Sequence, residues 1–198
     1  MQHGKMDRFV DIASVVLISI AAVLTALCGY QSGRWSGEQA RLYSAADSDR
    51  LQAAEESDRA NAVSAVDVSV FIHYVQAVDA GNARFAAFLN RRMRPEFEPA
   101  LKAWLATKPF QNESAPSSPF VMPEYRLKAD GVARKFNLSA HHNFLGAVDA
   151  TSHADDFLLL TVIFAAVSFL AGISTKMVYP RHAVVVAVAS VATMYGIV

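Results

Sequence analysis

The sequence predicts an all-α membrane protein, with three transmembrane helices and an extracytoplasmic helical bundle inserted between the first and the second. Three observations carry that expectation. Apolar residues make up 53% of the 198, and the mean hydropathy is positive at +0.23. The apolar excess is gathered into three runs instead of being spread along the chain. The residues between the first two runs are charged and rich in good helix formers, with no strand-type alternation.

Taken in order, residues 1–11 form a polar tail, and Ile12 to Tyr30 is the first run. It carries no charge over nineteen residues, close to the ~20 that a helix needs to cross the hydrocarbon core. The run is longer than the ~7–15 apolar residues of a secretory signal, and no clean small-x-small cleavage site follows it. Leu27 precedes Cys28 where a lipidated cysteine would normally follow a small residue, so the run is expected to stay as an anchor. Residues 157–175 are a second uncharged nineteen-residue run. Residues 183–198 form a third, of sixteen; at 1.5 Å per residue it covers about 24 Å against a core of about 30 Å.

Orientation follows from Lys and Arg near the run ends. Lys176 and Arg181 lie in the 176–182 loop, whereas no Lys or Arg occurs from Phe136 to Thr175. The positive-inside rule therefore puts that loop and the N-terminus in the cytoplasm, and residues 31–156 outside it.

The 31–156 segment holds fourteen Lys+Arg and sixteen Asp+Glu. Trp35 to Ala80 contains no proline and predicts one long helix, with Glu55 and Arg59 spaced for a surface pair. Val66, Val70, Phe71, Tyr74, Val75 and Val78 recur at helical spacing and predict its buried face. Gly81-Asn82 predicts its end, and Arg84 to Met93 a further helix, closed by Pro95. A short amphipathic helix over 96–108 would bury Phe97, Leu101, Trp104 and Leu105. Residues 109–123 hold four prolines and predict a strap, with Phe110, Phe120, Val121 and Met122 to pack it. Tyr125 to Asp156 predicts a helix feeding the second run, with Gly131 and Gly146 as its weak points.

Eighteen Lys+Arg balance eighteen Asp+Glu, so no basic stripe suggests nucleic acid. With one cysteine there is neither a disulfide framework nor a Cys-based zinc spacing. A metal would have to rest on His141, His142, His153, Asp155 and Asp156. Adjacent His141 and His142 cannot share a helix face, however, and His153 is roughly 16–18 Å further along the axis. His73 is expected to be a satisfied core histidine.

Arg91, Arg92 and Arg94 could offer paired donors to an anion or a protein partner; the neighbouring Glu96 and Glu98 make a self-neutralised surface the simpler expectation. Tyr30 and Trp35 fit an interfacial aromatic belt. Ala22 with Ala26, and Ser168 with Gly172, have the small-xxx-small spacing that lets membrane helices approach closely. No charge lies inside any run, so an ion or proton path is not expected. Glycine-rich phosphate loops, nucleophile elbows and HExxH are absent from the sequence. No cofactor and no enzymatic activity are expected.

At Gly29 to Ala46 (GYQSGRWSGEQARLYSAA), Arg91 to Ala106, Ser114 to Tyr125 and Asp155 to Ser174, the chain resembles a family of small bacterial inner-membrane proteins of unknown function with a GYQxxRWSGEQA-like motif. That resemblance implies a bacterial cytoplasmic membrane with the large loop in the periplasm, and it brings no ligand or catalytic residue with it. The functional expectation is a membrane-anchored scaffold or accessory subunit that contacts the lipid bilayer and a protein partner or a second copy of itself. A periplasmic small-ligand sensor module is the alternative, and a metal-dependent enzyme the lesser one.

Overall fold

The computed structural model describes residues 3–174; the expected 176–182 loop and third span lie outside the described residues. Among the described residues, four α-helices and one 3-10 turn follow in order: α1 (His3–Asp79), α2 (Ala83–Asn90), α3 (Glu98–Ala106), the turn Pro119–Val121, and α4 (Lys128–Ser174). No strand occurs among them. The expected first run and the long helix after it are one uninterrupted α1. The described residues divide into two compact units, one holding those up to Ser44 and from Asn143, the other Ala45–His142.

Burial along the two long helices follows a seven-residue repeat. On α1 the repeat comprises Ser14, Ala21 and Cys28, and then Ala46, Ala53, Ala60 and Asp67, with Phe71 and Ala77 buried beyond it. On α4 it comprises Ala133, Ala140, Ala147 and Ala154, interleaved with Ala150, Phe164, Val167 and Ala171. Seven residues per two turns is the period of a coiled-coil seam. Alanine at these positions is both the best helix former and small enough for close backbone approach.

In the first unit α1 and α4 run antiparallel. Ser32 Oγ donates to Ala154 O at 3.0 Å, the Trp35 and His153 rings lie 4.6 Å apart, and Tyr43 meets Phe144 edge-on at 5.9 Å. As one number rises, the other falls. A Cβ on Gly146 would come within 3.3 Å of Leu42 Cδ1, so the glycine sits where Leu42 needs room, and neither it nor Gly131 breaks α4. Leu17, Ala21, Leu24 and Cys28 pack on Phe157, Leu160, Phe164 and Val167.

Both α1 and α4 are long and apolar enough to cross a membrane. Only 17% of each apolar window is buried, and the exposed residues there include Ile12, Val16, Val23, Leu27, Leu159, Val162 and Phe169. Three hydroxyls in the same stretches are satisfied inside their own helices, Thr25 donating to Ala21 O, Thr161 to Phe157 O and Ser168 to Phe164 O, whereas the buried Ser14 hydroxyl has no partner among the described residues. Large apolar groups facing out, with hydroxyls bonded back to their own helix, is the arrangement that hydrocarbon demands.

The second unit is built on an aromatic core. Past its last residue, Asp79, α1 is closed by Gly81, whose φ of 65° admits the left-handed turn; Gly81 N donates to Val78 O and Asn82 N to Ala77 O, the paired bonds of a Schellman ending. Asn82 then accepts from Phe85 N and starts α2. α3 carries Pro99 in its first turn, where a missing N–H costs nothing. Just beyond its end the chain turns left-handed at Lys108, with φ 53°, and the Thr107 hydroxyl donates to Trp104 O in the last turn.

The 109–123 strap is fixed over α3 by Trp104 Nε1, which donates to Pro116 O at 2.7 Å. Phe71, Met93, Phe97, Leu101 and Trp104 form the core, with Phe120, Met122 and Tyr125 packed against them. Val121 and Phe110, also expected to pack, are more than half exposed, although Phe110 still touches the Trp104 ring edge-on.

Three expectations for α1 need correction. Val66 is exposed and Asp67 takes the buried place beside it, because Asp67 lies one turn before Val70 and Phe71 on the face that packs into the core, whereas Val66 falls outside it. Arg59 pairs with Glu56 at 3.1 Å, not with Glu55. His73 is exposed, with Nδ1 3.2 Å from Gln76 Oε1, and is no part of the core.

Candidate functional site

The most chemically distinctive group in the second unit is Asp67, 3% exposed in an otherwise apolar and alanine-rich face. Its Oδ2 accepts from Arg94 Nη1 at 3.1 Å and from the Tyr125 hydroxyl at 3.2 Å. Arg94 also pairs with Glu96, and Lys128 Nζ lies 3.8 Å from the other Glu96 oxygen. α1, the segment after α2 and the approach to α4 are thereby joined through one carboxylate. A cavity of about 350 Å³ opens beside this group, with Glu56, Arg59, Val63, Arg94, Glu96 and Lys128 among its walls.

Burial pushes the Asp67 carboxyl above the ordinary aspartate range; Arg94 and the Tyr125 hydroxyl pull it down without cancelling that effect, and the Glu96 charge adds to the rise. The Tyr125 hydroxyl is pushed up too, chiefly by burial. A folded state with the higher pKa holds more protons than the unfolded chain over the interval from about 4 to the raised value. This group therefore adds stability as pH falls through its folded pKa and withdraws it as pH rises. Asp67→Asn fixes the neutral form. The melting temperature of that variant minus that of the parent is expected to grow more positive from pH 4 to pH 7; a flat difference would mean that Asp67 ionises as it does in the unfolded chain.

Arg91, Arg92 and Arg94, which could have offered paired donors, do not converge. Arg94 turns inward to Asp67, Arg92 lies 5.4 Å above the Phe88 ring, and Arg91 is exposed at the C-terminus of α2, its amide bonded to Ala87 O. Glu98 pairs with Lys102 instead of with an arginine. Arg92 extends an exposed aromatic pair on α2, Phe85 and Phe88, whose rings stack at 6.4 Å.

In the first unit Tyr30 is exposed at the end of the apolar run and Trp35 is half-buried against His153. Ser168 and Gly172 are half-buried, whereas Ala22 and Ala26 are exposed and the neighbouring Ala21 and Cys28 are buried. His141 and His142 are exposed. Among the described residues no three His, Cys, Asp or Glu side chains gather as metal ligands would.

Sequence reasoning alone misses Asp67. Its signal is the series Ala46, Ala53, Ala60, Asp67, a charge at the fourth place of a seven-residue alanine repeat. No family model matches the chain, and no curated protein or solved structure matches it either. The fold and the exposed apolar windows define an all-α protein with two candidate membrane-spanning helices.

Proposed function

We propose that the protein is a membrane-anchored scaffold or accessory subunit that presents its 45–142 unit to a protein partner. It sits in the bacterial inner membrane by three spans, with its N-terminus in the cytoplasm and the helical unit outside. The observation that supports this most is the exposed Phe85–Phe88–Arg92 group on α2. Aromatic residues and arginine are the types that carry most binding energy at protein interfaces, and lysine and glutamate carry little. The membrane placement draws its support from the outward-facing apolar residues of α1 and α4.

The experiment is photo-crosslinking in native membranes from a probe at position 88. A discrete adduct is expected. The double replacement Phe88→Ala, Arg92→Ala is expected to weaken binding by about 30-fold or more, the equivalent of one hot spot of about 2 kcal/mol. A protein that remains monomeric and without adduct would sink the scaffold reading. The cavity beside Arg94 and Lys128 supports a second reading, a small-ligand sensor that works through a membrane partner. A ligand that raises the melting temperature of the full chain, with the rise lost in Lys128→Gln, would favour it.

A further inference from the structure

Where the apolar run of α1 ends and that of α4 begins, a cavity of about 700 Å³ opens between the two helices, lined by Gln31, Arg34, Trp35, Glu38, His153 and Phe157. The volume lies within the usual range for small-molecule sites, about 300–1,000 Å³. Gln31, Arg34, Trp35 and Glu38 fall at the i, i+3, i+4, i+7 places of one helix face, and His153 and Phe157 are one turn apart on α4. The walls grade from Phe157, the first residue of the second apolar run, to the charges of Arg34 and Glu38.

The charges are arranged unusually. Arg34 and Glu38 stand at the i, i+4 spacing at which opposite charges ordinarily pair, yet they do not. Both oxygens of Glu38 accept from Arg41, at 2.6 and 2.8 Å. These bonds hold the carboxylate in place and keep its pKa below the ordinary value, the hydrogen bonding being the larger cause. Arg34 is exposed and makes no ion pair among the described residues. One cavity therefore presents an uncommitted guanidinium, a carboxylate held in place by Arg41, and the Trp35 ring, which also lies against His153. A guanidinium recognises phosphate by paired donors, and a carboxylate beside an indole face suits an ammonium group.

We propose that this cavity binds the headgroup of a phospholipid that carries both a phosphate and an ammonium, with Arg34 on the phosphate, and Glu38 and Trp35 on the ammonium. Resting on the membrane reading of α1 and α4, the site places the acyl chains along the exposed apolar surface of Leu27 and Leu158. It requires no protein partner, so failure of the scaffold reading leaves it standing.

The test is native mass spectrometry of the full-length protein in detergent, with dioleoylphosphatidylethanolamine, dioleoylphosphatidylglycerol and soluble O-phosphoethanolamine as probes. The expected result is one phosphatidylethanolamine adduct per chain. Its affinity should fall about tenfold or more in Arg34→Gln, fall also in Glu38→Gln, and stay unchanged in Arg126→Gln, an exposed arginine of the other unit. Helical circular dichroism equal to that of the parent confirms that the variants fold. Phosphatidylglycerol binding as tightly, or an Arg34→Gln variant that binds as the parent does, overturns the proposal. Displacement of the lipid by O-phosphoethanolamine at similar concentration reassigns the site to a soluble phosphoamine and overturns the lipid assignment.

Discussion

Phe97→Ala is expected to destabilise the 45–142 unit by about 3–5 kcal/mol, the usual cost of truncating a buried aromatic residue. Phe97 is fully buried at the start of α3. Its ring stacks on Phe120 at 5.1 Å and meets Tyr125 and Phe71 edge-on at 5.9 and 6.2 Å. These neighbours come from α1, the strap and the approach to α4, so no single side chain can swing in to fill the space. The measurement is a urea titration in mild detergent that follows Trp104 emission in a Trp35→Phe background. Trp104 is suited to this because its ring lies 5.2 Å from Phe71 in the same cluster. Phe110→Ala, at an exposed ring, serves as the comparison and should cost under about 1 kcal/mol. A Phe97→Ala loss as small as that would mean that the rings do not form a closed core.

Arg94→Gln is the second large effect, and it acts through a charge it leaves behind. Removing one partner of a buried pair strands the other; the usual cost is about 3–5 kcal/mol. Here the lower end applies, because Arg94 is itself 31% exposed, so water already screens part of the interaction. About 3 kcal/mol is expected at pH 7. The loss should shrink as pH falls, since a protonated Asp67 no longer needs a counter-charge. Adding Asp67→Asn to Arg94→Gln should recover most of the stability, as two neighbouring sites that share one interaction are not additive. A double variant whose loss equals the sum of the single losses would show that the two side chains act independently.

The helical class and the apolar stretches of α1 and α4 are legible in the sequence because hydropathy and helix propensity are summed over many residues and tolerate local error. The Gly81-Asn82 ending and the Pro99 first turn are legible for a different reason: each depends on a single backbone property, a left-handed φ or a missing N–H. The inward face of α1 is legible only in part. Reading large apolar residues at helical spacing finds Val70, Phe71, Tyr74 and Val75, which pack into the aromatic core, but it also selects the exposed Val66 and misses the buried Ala46, Ala53 and Ala60, which contribute little to such a pattern. Asp67, one turn before Val70 and Phe71, shares their face and is passed over because it is charged. The arginine cluster illustrates another limit. Arg91, Arg92 and Arg94 are close neighbours in sequence, but the turn after α2 sends them to solvent, to an aromatic face and to a buried carboxylate respectively. The Arg34 cavity has its aromatic marker in Trp35; its charges are unreadable from spacing because their pairing depends on Glu38 choosing Arg41.

The alanine repeat has a consequence for how the helices find their alignment. In the first unit, Ala147 and Ala154 of α4 stand a heptad apart, and small residues so spaced leave the pairing with α1 free to close out of step by seven. In that unit, bulky residues supply the index marks that the alanines lack. Leu42 fits opposite the missing side chain of Gly146, and Tyr43 on Phe144 and Trp35 on His153 mark the same alignment on either side. A slide of seven residues along α4 would set Leu42 against Ser139 in one direction or His153 in the other, and would separate all three marks at once. The glycine that reads as a weak point in the sequence of α4 is thus the notch by which the two helices are keyed.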